Sequence, residues 1–87
     1  LRPTFDYIVN QKGYHRKLFE REPRLWTYSL RERIMPRTEF MEFRGIEKSP
    51  STVMQFNDQD FCDRIANCSL EYYQEFKEVF LKLLRSE

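Results

Sequence analysis

The sequence is poor in the residues from which catalytic and metal sites are built. Its 87 residues include two glycines, two cysteines and one histidine. Zinc generally needs three or four ligands at recognisable spacing, and phosphate-binding loops need several closely spaced glycines. His15 lies in the basic run of residues 14–17, with no acidic neighbour to orient it for catalysis. We therefore expect no enzyme activity, no catalytic residue, no metal and no cofactor.

Long apolar runs are also missing. Charged residues make up 33% of the chain, the mean hydropathy is −0.77, and no apolar stretch approaches the roughly 18–20 residues that cross a bilayer. We therefore expect no membrane association. The missing catalytic groups also lead us to expect no small-molecule substrate. Cys62 and Cys68 are six residues apart, and on an ideal helix their side chains would point about 240° apart. The spacing therefore predicts two separate reduced thiols.

The net charge of +1 conceals an uneven distribution. Residues 1–48 hold 11 basic and 7 acidic residues, whereas residues 49–87 hold 4 basic and 7 acidic residues. Eight of the ten arginines lie in the first part, and the planar guanidinium group is suited to phosphate recognition. Glutamates are interleaved with these arginines at helical spacing, so a solvated, ion-paired helix surface is the alternative interpretation.

Apolar residues recur at helical spacing along almost the whole chain, which predicts an all-α fold. The segment 29–32 reads Ser-Leu-Arg-Glu, a capping box that starts a helix at Leu30. The predicted elements are helices over 3–12 and 14–22, a 3₁₀ turn at 23–26, a helix from Leu30 through a kink at Pro36 to Gly45, a loop over 46–57, and two helices capped by Asn57 or Asp58 and by Ser69. Gly13 and Gly45 are predicted left-handed helix ends.

Two parts of the chain share a weakly repeated sequence pattern. An apolar-x-Pro triplet, an aromatic-aliphatic pair and a glycine occur at residues 1–3, 7–8 and 13. They recur at residues 34–36, 40–41 and 45, a period of 32–33 residues. This period is typical of helical solenoids, which bury their apolar faces by stacking.

Residues 19–37, with the pair at 40–41 and Gly45, resemble the repeat of the mitochondrial transcription termination factor (mTERF) family. Arg21-Glu22-Pro23 matches the arginine-x-Pro that ends the first helix of that repeat, and residues 34–37 match the Pro-Arg of its second helix. The resemblance assigns residues 14–45 to one complete repeat and residues 1–13 to the end of a preceding one. By the same resemblance, residues 58–87 are expected to form an acidic C-terminal capping helix pair.

The resemblance implies a right-angled solenoid of helix, 3₁₀ turn and helix units in the mitochondrial matrix, with a transit peptide upstream of the given sequence. Its basic face would contact structured rRNA or double-stranded DNA, in transcription regulation or large ribosomal subunit biogenesis. The candidate phosphate-binding residues lie in the basic part of the chain: Arg24, Arg31, Arg33, Arg37, Arg16, Lys17 and Arg44.

A protein-docking module is the alternative function. The last helix carries a wide apolar stripe in an acidic region, a pattern that suits a helix-face interface. Its partner would be an RNA-modifying enzyme or a ribosomal protein, and its predicted anchors are Tyr72, Phe76, Val79 and Phe80. Trp26 is interpreted as a core residue rather than a platform for base stacking.

Overall fold

The computed structural model describes residues 2–86, and every regular element in that range is helical. Three helices change type along their length: α1 is an α-helix over Arg2–Phe5 and a π-helix over Asp6–Gln11, α3 is a π-helix over Leu30–Ile34 and an α-helix over Met35–Arg44, and α5 is an α-helix over Asp58–Asp60 and a π-helix over Phe61–Ala66. The other helices are α2 over Lys17–Arg21, α4 over Pro50–Met54 and α6 over Leu70–Arg85. A 3₁₀ turn over Pro23–Thr27 lies between α2 and α3. The predicted all-α class is confirmed.

The helix ends follow local sequence signals. The side chains of Ser29, Asn57 and Ser69 each accept a hydrogen bond from the backbone N–H three residues further on, at 3.1, 2.8 and 3.2 Å respectively. These bonds satisfy N–H groups that the first turn of a helix leaves without partners. Gly45 ends α3 with a φ of 70°, and Gly13 follows α1 with a φ of 80°, both in the left-handed region.

Helix α3 continues through Pro36, as predicted, and widens in front of it. The N–H groups of Ile34 and Met35 bond to the carbonyls of Ser29 and Leu30, five residues back. A proline inside a helix presses on the carbonyl four residues before it, and an i to i−5 turn is wider than an α-helical turn. The π-helical start of α3 therefore makes room for the Pro36 ring.

Aromatic side chains hold the core together. The ring of Phe40, on α3, lies 5.0 Å from that of Tyr73 and 5.1 Å from that of Phe76, so it joins α3 to α6. At the other end of the molecule, Trp26 packs on Phe19 with 4.2 Å between ring centroids. Trp26 is therefore partly buried against the core, in agreement with its interpretation as a core residue.

The sequence predicts a loop over residues 46–57, but only part of this segment is a loop in the structure. Residues 50–54 form α4, and Pro50, Val53 and Met54 are buried. Proline is well tolerated in the first turn of a helix, because the N–H that it lacks would have no partner there. The polar segment before Val53 therefore contains a helix start that resembles a loop in composition.

Cys62 and Cys68 lie next to each other, contrary to the prediction from ideal helix geometry. The chain widens into a π-helix and then turns back at Asn67, whose φ is 52°. The N–H of Cys68 bonds to the carbonyl of Cys62 at 3.1 Å. Burial, and then the Cys68 thiol, raise the pKa of Cys62 to about 12. Both thiols are free.

Candidate nucleic-acid interface

Five cationic side chains lie exposed along the stretch that runs from the residue before α2 to the first turn of α3. They are Arg16, Lys17, Arg21, Arg24 and Arg31, and we call them the exposed basic segment. Among the residues that the structure describes, none of the five forms an ion pair with a carboxylate. The glutamates interleaved with them in the sequence therefore lie beyond ion-pair distance of these five cations in the structure.

Arg21 belongs to this segment although it was absent from the predicted set. It lies four residues after Lys17 on α2, a spacing that places both side chains on one helix face. The two line a surface cavity of about 390 Å³ together with Tyr14, His15 and Leu18. The spacing of four residues between Lys17 and Arg21 could have predicted from the sequence that Arg21 lies beside Lys17 on this surface.

Arg33 is half-buried and holds α3 against α4. Its Nη1 donates a hydrogen bond to the Met54 carbonyl at 2.9 Å, and its guanidinium lies 5.1 Å from the centre of the Tyr28 ring. The side chain still lines a surface cleft of about 650 Å³ beside Tyr28. The contacts with Met54 and Tyr28 fix the guanidinium group of Arg33 in place, and part of its surface remains accessible in the cleft.

Arg44 lies at the end of α3, where its guanidinium packs on aromatic rings. It is 5.3 Å from the centre of the Tyr72 ring and 5.7 Å from that of Phe40. Its Nη2 is 3.5 Å from the carbonyl oxygen of Ala66. These contacts join Arg44 to α5 and α6, at the far end of α3 from the exposed basic segment, although Arg44 itself remains exposed.

Arg37 is fully buried, so the prediction that it contacts phosphate is corrected. Its Nη1 donates to the Val53 carbonyl at 2.9 Å, and its Nη2 lies 3.0 Å from Oδ1 of Asp58. The guanidinium is 4.9 Å from the centre of the Phe61 ring, and its exposure is 0%. A buried charge must be paired and hydrogen-bonded, and Arg37 uses Nη1 and Nη2 to join α3, α4 and α5, whereas its Nε has no partner within the described residues.

The position of Arg37 in the helix could have revealed its burial. It lies three residues after Ile34 and three before Phe40, both of which are 0% exposed. Residues three or four apart share one helix face, so Arg37 occupies the inner face of α3. The resemblance to the family repeat at residues 34–37 indicates phosphate binding by Arg37, whereas the helix register indicates burial.

Lys12 shows how a cation in the same half of the chain can be compensated. Its Nζ lies 2.7 Å from Oε1 of Glu39 and 3.0 Å from Oε1 of Glu42, and the Tyr7 hydroxyl donates to Glu39 at 2.9 Å. Burial lowers the pKa of Lys12, but its hydrogen bonds to the two carboxylates outweigh burial and raise the pKa overall. Burial, then the Glu39 carboxylate, raise the pKa of Tyr7. This cluster fastens α1 to α3.

The predicted docking residues lie on α6, at different depths. Tyr72 is 43% exposed and Val79 is 57% exposed, whereas Phe76 and Phe80 are partly buried. Phe43, at 64% exposure, lies beside Phe76 with 5.6 Å between ring centroids. Phe43 extends this apolar surface onto α3, and sequence analysis did not place it there.

Neither a cluster of metal-ligand residues nor a membrane-spanning helix occurs within residues 2–86. No group of three or more His, Cys, Asp or Glu in that range is placed to hold a metal ion. In the same range, no helix has the length and apolar character needed to cross a membrane.

The mTERF family profile matches residues 1–62, from α1 to the beginning of the π-helical part of α5. The chain therefore belongs to the mTERF family, whose members are in general helical, non-enzymatic nucleic-acid-binding factors of organelles. No curated protein and no solved structure matched the chain.

Proposed function

We propose that this chain belongs to a non-enzymatic mitochondrial protein that binds structured rRNA or double-stranded DNA. Its helices would continue a right-angled solenoid, and it would act in mitochondrial transcription regulation or large ribosomal subunit biogenesis. Family membership supports nucleic-acid binding as the general activity. The exposed basic segment, with Arg33 beside it, is the surface that we assign to the contact.

The uncompensated charge of the exposed basic segment is the observation that carries this proposal. Nucleic-acid phosphates are surrounded by condensed cations, and each protein cation that replaces one releases it into solution. A cation already paired with a carboxylate contributes little to this exchange, because its charge is neutralised. Arg16, Lys17, Arg21, Arg24 and Arg31 make no such pair among the described residues. Such contacts fix position on the nucleic acid but do not read bases.

Salt dependence of binding tests the assignment. Arg24→Gln with Arg31→Gln should make the negative slope of log affinity against log salt less steep by about two, because each arginine that binds a phosphate contributes about one to its steepness. The matched control is Arg64→Gln with Arg85→Gln, which removes two exposed arginines from the acidic part of the chain. Titrations of a structured rRNA fragment and of a random DNA duplex supply the measurement. Equal slopes for both variants and the wild type would refute the assignment.

A protein-docking role for α6 is the second candidate function. The apolar surface formed by Phe43, Tyr72, Phe76, Val79 and Leu83 is exposed over much of its area. Exposed contiguous apolar surface commonly marks an interaction site. Glu71→Lys with Glu75→Lys, beside this surface, should disrupt protein association and leave nucleic-acid affinity unchanged. Loss of nucleic-acid binding in this variant would instead assign α6 to the nucleic acid.

A further inference from the structure

The large apolar side chains that remain most exposed all belong to one surface. Among the described residues these are Phe43, Tyr72, Val79 and Leu83, with exposures of 64%, 43%, 57% and 62%. Phe76 lies in the middle of this surface, in contact with Phe43. The family match ends at residue 62, so α6 lies outside the matched repeat region.

The apolar residues of α6 follow a coiled-coil spacing. Tyr72, Phe76, Val79 and Leu83 are separated by four, three and four residues, the spacing of alternating d and a positions in a heptad repeat. One edge of this seam is already covered, because the e positions are the buried Tyr73 and the partly buried Phe80. The other edge is open to solvent.

The open edge carries one charge of each sign. Its g positions are Glu75 and Lys82, and both are exposed. Lys82 pairs with Glu78 at 3.5 Å on the surface, where both side chains are 70% exposed, so this pair is weak and easily exchanged. Charges beside a helical seam determine which helix pairs with it and in which direction.

We infer that the α6 face is an interface between two copies of this chain, with the two α6 helices antiparallel. In this arrangement Glu75 of one copy lies opposite Lys82 of the other, and the pair occurs twice because the interface is two-fold symmetric. A parallel arrangement would instead direct Glu75 towards Phe80 of the second copy, on the edge that each copy's own fold covers.

The apolar residues fit the same register. When Glu75 lies opposite Lys82 of the second copy, Tyr72 lies opposite Leu83 and Phe76 opposite Val79. The symmetry axis then crosses between residues 77 and 78, which is the midpoint of the 16-residue α6. Apolar contacts, charges and full helix overlap therefore agree on a single register.

The expected dimer is weak and reversible. Helix α6 is about 24 Å long at 1.5 Å per residue, which gives a contact of smaller area than a permanent dimer normally buries. The proposal rests on the docking role assigned to α6 and is independent of nucleic-acid binding by the exposed basic segment.

Charge-reversal variants test the register by complementation. In sedimentation experiments from about 5 µM to about 500 µM, the wild type should form dimers, and Glu75→Lys or Lys82→Glu alone should weaken dimerisation about tenfold. An equimolar mixture of the two variants should restore wild-type association. In a dimer that contains one copy of each variant, both pairs of positions 75 and 82 hold opposite charges. Glu47→Lys, the same charge change in an exposed residue away from α6, should have no effect.

Two results would overturn the proposal. One is a wild-type protein that remains monomeric at all concentrations, and the other is a variant mixture that associates no better than its components. Leu83→Asp, at an exposed position where folding should be preserved, should abolish the dimer. If the wild type is monomeric but Leu83→Asp removes binding to another protein, docking by α6 stands and self-association is rejected. If Leu83→Asp also changes no protein contact, both proposals for α6 fail.

Discussion

Arg37 and Arg31 lie six residues apart on α3 and have opposite environments. Arg37 is enclosed by α3, α4 and α5 and paired with Asp58, whereas Arg31 is exposed and forms no ion pair within the described part of the chain. Charge composition alone therefore does not identify a nucleic-acid-binding surface. An arginine can act on a phosphate only if the fold has left its charge uncompensated and accessible.

Loss of Arg37 should have the largest effect on stability. Arg37→Ala removes a buried side chain, leaves the Val53 carbonyl without its donor and removes a cation from Asp58. We expect the free energy of unfolding to fall by about 3 kcal/mol, measured by urea denaturation. A loss below about 1 kcal/mol would show that the buried guanidinium is not a structural element.

Lys12→Met should have an intermediate effect, because Lys12 is compensated but only partly buried. We expect a loss of about 1 kcal/mol at neutral pH. The folded protein raises the pKa of Lys12 above its ordinary value of 10.5. Its contribution is therefore complete below pH 10.5 and is lost as the pH rises through the higher pKa of the folded state.

Urea denaturation of wild type and Lys12→Met at pH 7 and at alkaline pH measures this contribution. The difference between the two proteins should shrink at the higher pH. A difference that is the same at both values would mean that Lys12 stabilises the fold through packing of its aliphatic chain, and not through its charge.

The exposed basic segment should contribute least to stability. The Arg24→Gln, Arg31→Gln variant used for nucleic-acid titrations should unfold within about 0.5 kcal/mol of the wild type, because neither side chain makes an ion pair among the described residues. The same urea experiment checks this. A loss similar to that of Arg37→Ala would remove the distinction between the two classes of arginine.

Features that depend on neighbouring residues could be predicted from the sequence. The caps at Ser29 and Ser69, the left-handed end at Gly45 and the continuation of α3 through Pro36 are set within a few residues of the chain. Two predictions, one from composition and one from ideal helix geometry, were wrong. Residues 50–54 form α4 where composition predicts a loop, and Cys68 folds back onto Cys62 because α5 is not an ideal helix.

Local patterns and composition were sufficient to predict the all-α class, most helix ends, the family and the concentration of arginine in the first half of the chain, because these features depend on residues close in sequence. Tertiary structure alone decided which cations remain available. Arg37 is paired with a carboxylate 21 residues away and Lys12 with one 30 residues away. Folding brings these charges together, and it leaves the exposed basic segment without an ion-pair partner among the described residues.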